Sequence, residues 1–404
     1  MTKIRRITFL AIALAWVFVA AAEPMHVYLT FSGAPETSID INVMLKDKVN
    51  TPVDVYYDTE PRNGDVKAYK NHVAATYVFT TMEISDRRTM HYAVLKDLKP
   101  DTVYYFVAGE AKFGMSNERK FKTLPGGNKP FRFVDGGDMG TDGLITPLLT
   151  FAGKENPDFG VIGGDIAYEN GLLDNAAMWS QWLTNWDKMM VTTDGRMVPI
   201  VTAIGNHEVN RYPVAEEFAL RSPWYVSTFG RQGENIFHSK QVGDNAVFFL
   251  LDSGHLEPHD GKQAAWLKQE LEKYKDVKYK FAAYHVPLYP AHRPYDGAGS
   301  VAGRTHWAPL FDEYNLTVSM EHHDHVFKRS KRLKGDKVVK KGGTVYIGDG
   351  CFGRGARPVE PPVRWYNEKE KSAAHFWVVD VAKRGLKLKA IDHEGKTIDQ
   401  FSLP

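Results

Sequence analysis

Apolar and polar positions divide the chain into two regions with different periods. From about residue 25 to residue 124, short runs rich in β-branched and aromatic residues are broken by Gly, Pro, Asn and Asp. His26-Val27-Tyr28-Leu29-Thr30 and Val53-Asp54-Val55-Tyr56-Tyr57 are examples. In Leu98-Lys99-Pro100-Asp101-Thr102-Val103-Tyr104-Tyr105-Phe106-Val107 a turn leads into an alternating aromatic strand, with Tyr104 placed like a tyrosine-corner residue. This region predicts an all-β sandwich over residues 24–125. Pro125-Gly126-Gly127-Asn128-Lys129-Pro130 then reads as a linker.

Beyond the linker, apolar strands alternate with helical spacing. Strands are expected at 131–134, 159–162, 198–204, 247–251, 281–284 and 317–320, and helices at 176–188 and 263–274. The pattern predicts an α/β layered domain over residues 130–404, with its sheets covered by helices. The segments 375–381, 386–391 and 397–403 return to β-character and complete a sheet. The charge runs 328–334 and 368–371 read as solvated loops. The fold class is therefore α+β multidomain, and the chain shows no internal repeat or low-complexity tract.

At 404 residues the chain can build large cores, and 43% hydrophobic with 25% charged residues is ordinary for a globular protein. A net charge of +2 gives no basis for a dedicated nucleic-acid or anionic-membrane surface. Lys3, Arg5 and Arg6 precede an apolar run over residues 7–22 that ends in Ala20-Ala21-Ala22. This reads as an export signal over residues 1–22, with an uncleaved signal anchor as the alternative, so the protein is expected in the periplasm or outside the cell. Cys351 is the only cysteine, which excludes an intramolecular disulfide. Asn315-Leu316-Thr317 matches a glycosylation acceptor, at a place where a strand is expected to start.

Five stretches carry metal-competent groups, each directly after an expected strand: Gly137-Asp138-Met139-Gly140, Gly163-Gly164-Asp165-Ile166-Ala167-Tyr168, Gly205-Asn206-His207-Glu208, His285-Val286-Pro287 and His323-Asp324-His325. Singly, each is an ordinary turn or polar loop. Together they fall on the rim where the carboxyl ends of strands converge. Carboxylate, phenolate and imidazole suit a hard ion such as Fe(III), while imidazole and amide oxygen suit a divalent one. The ligand types thus indicate a two-metal site.

The series resembles the motifs of the metallophosphoesterase superfamily, and Tyr168 makes it similar to the purple acid phosphatases in particular. The first region is similar to the fibronectin type III-like domain of their two-domain members. The resemblance implies that Asp138, Asp165, Tyr168 and His325 bind Fe(III). Asp165 would bridge to a second ion (Fe, Zn or Mn) held by Asn206, His285 and His323. It also implies that His207 contacts the phosphate and can protonate the leaving group, and that His292 lines the substrate pocket. The implied activity is acid hydrolysis of phosphomonoesters by a metal-bound hydroxide. A phosphodiesterase or nucleotide pyrophosphatase on the same metals, and a non-catalytic surface protein, are the alternatives. One departure stands out: His322 occupies the position where the family's last motif usually has Gly. Neither the natural substrate nor the oligomeric state is implied.

Overall fold

A computed structural model describes residues 24–46, 52–78, 88–110, 114–211, 218–233, 235–348 and 350–404; the expected export signal lies outside the described residues. The expected strands are present, displaced by one or two residues. Phe131–Gly136, Phe159–Gly163 and Ile200–Ala203 pair in parallel, and Ala246–Leu250, Tyr279–Ala283 and Val318–Met320 do the same in a second sheet. The C-terminal strands His375–Ala382, Gly385–Asp392 and Thr397–Leu403 form an antiparallel meander that joins the first sheet along Phe131–Gly136.

The two sheets pack face to face through aromatic side chains. Phe133 meets Phe248 and Phe281 edge-on, with ring centroids 5.0 and 5.3 Å apart, and Phe248 stacks on Phe281 at 4.8 Å. Burial of each such ring contributes roughly 2–3 kcal/mol, and the edge-to-face geometry adds to it. Helix Ala176–Met189 covers the outer face of the first sheet. Trp179, Trp182 and Trp186 recur at helical spacing, and all three are buried. Helix Gly261–Lys273 does the same for the second sheet with Leu267 and Leu271. The layering is helix, sheet, sheet, helix, as the hydrophobic pattern predicts.

The N-terminal region is the expected two-sheet sandwich. Tyr104 forms the corner, its hydroxyl accepting from the Lys99 N–H at 2.9 Å. One sheet of this sandwich does not stop at the domain boundary. Strand Pro24–Thr30 pairs on one side with Ile39–Leu45 and on the other, in parallel, with Ile200–Ala203 through Thr30 and Ile200. The result is one sheet of ten strands spanning both regions. The linker is also docked, since the Asp244 N–H donates to the Gly127 carbonyl at 2.9 Å.

The two charge runs are not solvated loops. Phe327–Ser330 pairs antiparallel with Asn367–Lys371, placing Lys328 opposite Glu370 and Arg329 opposite Lys369. Both segments are strands at the margin of the second sheet, where charged side chains blunt an open edge. Lys328 is fully buried, because its ammonium is paired with the buried carboxylate of Glu321. Asn315 sits exposed in the turn before Val318–Met320, with φ of 55°. Among the described residues, no helix is long and apolar enough to cross a membrane.

Candidate metal centre

All five stretches leave the carboxyl ends of strands at one rim, and tight turns bring their side chains together. Five of the expected ligands have left-handed backbone: Asp138 (φ 54°), Asp165 (53°), Tyr168 (64°), His323 (76°) and His325 (54°). This conformation is costly for a residue with a side chain and persists only where its surroundings hold it. Gly164 (φ 88°) allows a close approach between two of the loops. A Cβ there would lie 2.5 Å from the Gly205 nitrogen, so the Asp165 and Asn206 loops touch backbone to backbone.

Asp165, His285 and His323 offer ligand atoms within 4.8 Å of one another. His285 Nδ1 faces the Gly163 carbonyl at 2.9 Å, which fixes Nδ1 as the donor and turns the Nε2 lone pair to the rim. Around that Nε2 lie His323 Nδ1 at 2.9 Å, Asp165 Oδ2 at 3.1 Å and Asn206 Oδ1 at 3.2 Å. Two imidazole nitrogens, a carboxylate oxygen and an amide oxygen thus face one point, and all four are metal-competent atoms. A cation at their centre satisfies them together.

The titration behaviour points the same way. Burial acts against a charged His285, but the Asp165 and Asp138 carboxylates outweigh it and push this imidazole up to about 9. Burial and the adjacent His285 drive His323 strongly down. The site calls for positive charge, and one proton can serve only one of the donors.

A second group adjoins the first. His325 Nε2 lies 2.8 Å from Asp138 Oδ1, and the Tyr168 hydroxyl lies 3.3 Å from the same oxygen and 3.2 Å from His325 Nε2. Asp138 Oδ2 accepts the His323 N–H at 2.7 Å, joining the two groups. A phenol, a carboxylate and an imidazole around one point form a donor set that fits a hard ion. His207 stands at the mouth, its ring stacked on Tyr168 at 4.2 Å, its Nδ1 2.5 Å from Asn170 Oδ1 and its Nε2 3.9 Å from Asp165 Oδ2.

The structure does not bring His292 into this group. Its backbone N–H donates to Asp324 at 2.7 Å, and its Nδ1 faces the Pro358 carbonyl at 2.9 Å. His322 turns inward. Its Nδ1 faces the Tyr284 carbonyl at 2.8 Å, its Nε2 lies 3.5 Å from Asp135 Oδ1, and its ring fills the space a Cβ on Gly163 would take. Asp135 and His322 are both buried, and burial raises the Asp135 carboxyl above its ordinary range. Replacing His322 by Gly should cost about 2–4 kcal/mol, because it opens a cavity beside Gly163 and removes the Nδ1 contact with the Tyr284 carbonyl. Chemical denaturation of the two proteins measures the difference.

Three contributors escape motif reading. Glu208 is wholly buried and accepts the N–H groups of Asp165 and Ile166, both at 2.7 Å, and of Gly205 at 2.9 Å. It thereby ties two of the ligand loops together. Asp324 lies between the two histidines of the last motif and accepts three N–H groups, from Ala291, His292 and Arg293. Both residues stand inside quoted motifs, but a carboxylate turned to backbone leaves no pattern of its own. Arg354 lies outside every motif, with its guanidinium 4.4 Å over the Tyr168 ring.

Family models, curated relatives and solved structures all match the chain. Residues 24–123 match the model of the purple acid phosphatase N-terminal domain, and residues 137–327 match that of the calcineurin-like phosphoesterases. An uncharacterized protein of Mycobacterium tuberculosis is 27% identical over 301 residues, 65% of this chain and 55% of that protein. Purple acid phosphatase 18 of Arabidopsis thaliana is 24% identical over 370 residues, 89% of this chain and 79% of its own length. The match thus spans only about half the length of the mycobacterial relative. A purple acid phosphatase from yellow lupin seeds shares the fold with a TM-score of 0.77 over 95% of this chain and 75% of its own, at 18% identity. PhoD shares it with a TM-score of 0.69 over 95% of this chain and 93% of its own, at 12% identity. The two family models match in order on the two regions of the fold, and the lupin enzyme superposes on nearly all of it. The chain therefore belongs to the metallophosphoesterases, as a two-domain protein of the purple acid phosphatase type.

Proposed function

We propose that the protein is an exported phosphatase that hydrolyses phosphomonoesters at a binuclear metal centre. The observation that carries this reading is the convergence of metal-competent atoms of His285, His323, Asp165 and Asn206 beside the Asp138, Tyr168 and His325 group. Asp138, Tyr168 and His325 would hold Fe(III). Asn206, His285 and His323 would hold a second ion, Fe, Zn or Mn, with Asp165 shared between the two. When bound, such a pair lowers the pKa of water and neutralises charge gathering on the phosphoryl oxygens.

The chain's own residues do the rest. Glu208 and the Gly163 carbonyl hold the Asp165 loop and the His285 ring in place, so little reorganisation accompanies binding. His207 presents its Nε2 at the mouth while Asn170 holds its Nδ1 side. It can hydrogen-bond a phosphoryl oxygen and deliver a proton to the departing alkoxide. Burial lowers the pKa of His207 and Asp165 raises it, with the fall prevailing. The Tyr168 ring beneath it fixes the imidazole plane.

The test is activity and metal content together. Purified protein should carry close to two metal ions per chain, show a visible Tyr–Fe(III) absorption band and release phosphate from phenyl phosphate at mildly acidic pH. It should act on this monoester faster than on a diester with the same leaving group. No phosphate release by metal-replete protein across a broad ester panel would refute the reading. A faster diester reaction would move it to a phosphodiesterase.

A further inference from the structure

A basic hairpin leaves the margin of the second sheet on the side away from the metal rim. Strand Phe327–Ser330 carries the chain away from His325, and Leu333 then meets Thr344, directly before strand Val345–Gly348. That strand runs parallel to Val318–Met320, which leads into the last ligand motif, so the hairpin sits at the end of the sheet opposite the centre. Leu333–Lys334 and Lys337–Val338 form it. Gly335 and Asp336 close it, and their φ values of 56° and 54° are those of a tight two-residue turn.

Its charge is one-sided. Lys331, Arg332, Lys334, Lys337, Lys340 and Lys341 share the segment with one acidic residue, Asp336, although the whole chain has a net charge of only +2. Asp336 accepts the Tyr289 hydroxyl at 2.6 Å, and Asp312 accepts the Gly335 N–H at 2.7 Å. Lys334 reaches the Asp312 carbonyl at 3.3 Å. Lys337, Lys340 and Lys341 are exposed and, among the described residues, form no ion pair. Lys334 also stands directly opposite Lys337, and like charges so placed cost stability unless an anion lies over them.

Apolar side chains accompany the charge. Val338, Val363 and Trp365 are 49%, 50% and 47% exposed. Lys331 donates to the Trp365 carbonyl at 2.9 Å, and the Trp365 ring meets Tyr295 with centroids 6.2 Å apart. Tyr295 lies beside Tyr289, the partner of Asp336, so the indole and the hairpin tip belong to one continuous surface.

We propose that this hairpin, with Trp365 beside it, docks the protein on a bilayer bearing anionic phospholipid headgroups. Lysines supply point charges to headgroup phosphates without demanding a fixed geometry. An exposed indole among them seats at the level of the headgroups. A nucleic acid would account for the lysines but would leave the exposed valines without a use. Docked this way, the metal rim stays open to soluble esters, whatever the centre hydrolyses.

Sedimentation with vesicles tests this, using the protein after removal of residues 1–22. One vesicle holds equal parts phosphatidylglycerol and phosphatidylcholine, the other phosphatidylcholine alone. Partitioning should be at least about tenfold stronger to the anionic vesicles, and should fall at least about tenfold between about 0.05 and about 0.5 M salt. Lys337→Glu, Lys340→Glu and Lys341→Glu together should weaken it by about tenfold or more, with phenyl phosphate hydrolysis unchanged within about twofold. Trp365→Ala should weaken it by about fivefold and leave the salt dependence as it was. Equal partitioning to both vesicles, no partitioning, or a triple variant that partitions like the wild type overturns the docking surface. So does tighter binding of a single-stranded oligonucleotide than of anionic vesicles at the same salt. The wild-type comparisons stand even if the triple variant fails to fold.

Discussion

Asp165→Asn should lower kcat/KM by on the order of 10³-fold or more while the protein keeps its fold. The two side chains have the same shape, so packing at this buried position is preserved. The change is in what the oxygens can accept. Oδ1 takes the His207 N–H at 2.8 Å, and Oδ2 faces His285 Nε2 at 3.1 Å. An asparagine can keep oxygen on only one side. With its amide toward His207 it sets two N–H groups against each other. With its amide toward His285 it puts a donor where a cation is to be shared. It also removes the one negative charge common to both proposed ion sites. Steady-state rates on phenyl phosphate, read beside metal content, check this. Unchanged activity at full metal occupancy would remove Asp165 from the centre.

Lys328→Met should destabilise the protein by about 3–5 kcal/mol, because it leaves a buried carboxylate without its cation. Lys328 donates to Glu321 and to the Tyr289 carbonyl, and all of its side chain is buried. Glu321 in turn accepts the Tyr284 hydroxyl and the Leu288 N–H, both at 2.7 Å. These bonds flank His285, so the pair stabilises the loop on which that histidine is mounted. Adding Glu321→Gln should recover part of the loss, because glutamine keeps an oxygen for Tyr284 and Leu288 and carries no charge. Urea unfolding of the wild type, the single variant and the double variant measures both steps. A loss below about 1 kcal/mol for Lys328→Met would mean that Glu321 finds other compensation.

Much of the fold can be read from the residues because strands buried on both faces are written as continuous apolar runs. The expected strand at 159–162 and the observed Phe159–Gly163 differ by one residue, and the helix expected at 176–188 ends at Met189. The proposed ligands are equally legible, since each directly follows such a run and the convergence of strand ends brings them together. Other features have no local signature. Lys328 and Glu370 look solvated because charge is a local property, while their pairing across two strands is not. Glu208 and Asp324 act on backbone N–H groups, which every residue but proline carries, so no residue type marks their partners. His292 follows His285 at a suggestive spacing, and its contacts with Asp324 and the Pro358 carbonyl likewise leave no mark in the sequence. The parallel contact of Thr30 with Ile200 joins positions far apart in sequence, and nothing in either strand announces it.

That contact has a consequence for how the two regions can be inherited. Strand Ile200–Ala203 lies directly before Asn206, and the first strand of the N-terminal region meets the start of its outer side through the single pair Thr30 and Ile200. Without that strand, an apolar ribbon next to the catalytic rim would offer unpaired N–H and C=O groups to any passing chain, an invitation to aggregation. The N-terminal sandwich thus continues the sheet at the point where this edge begins. A lineage that lost the sandwich would expose the start of this strand as a sheet edge.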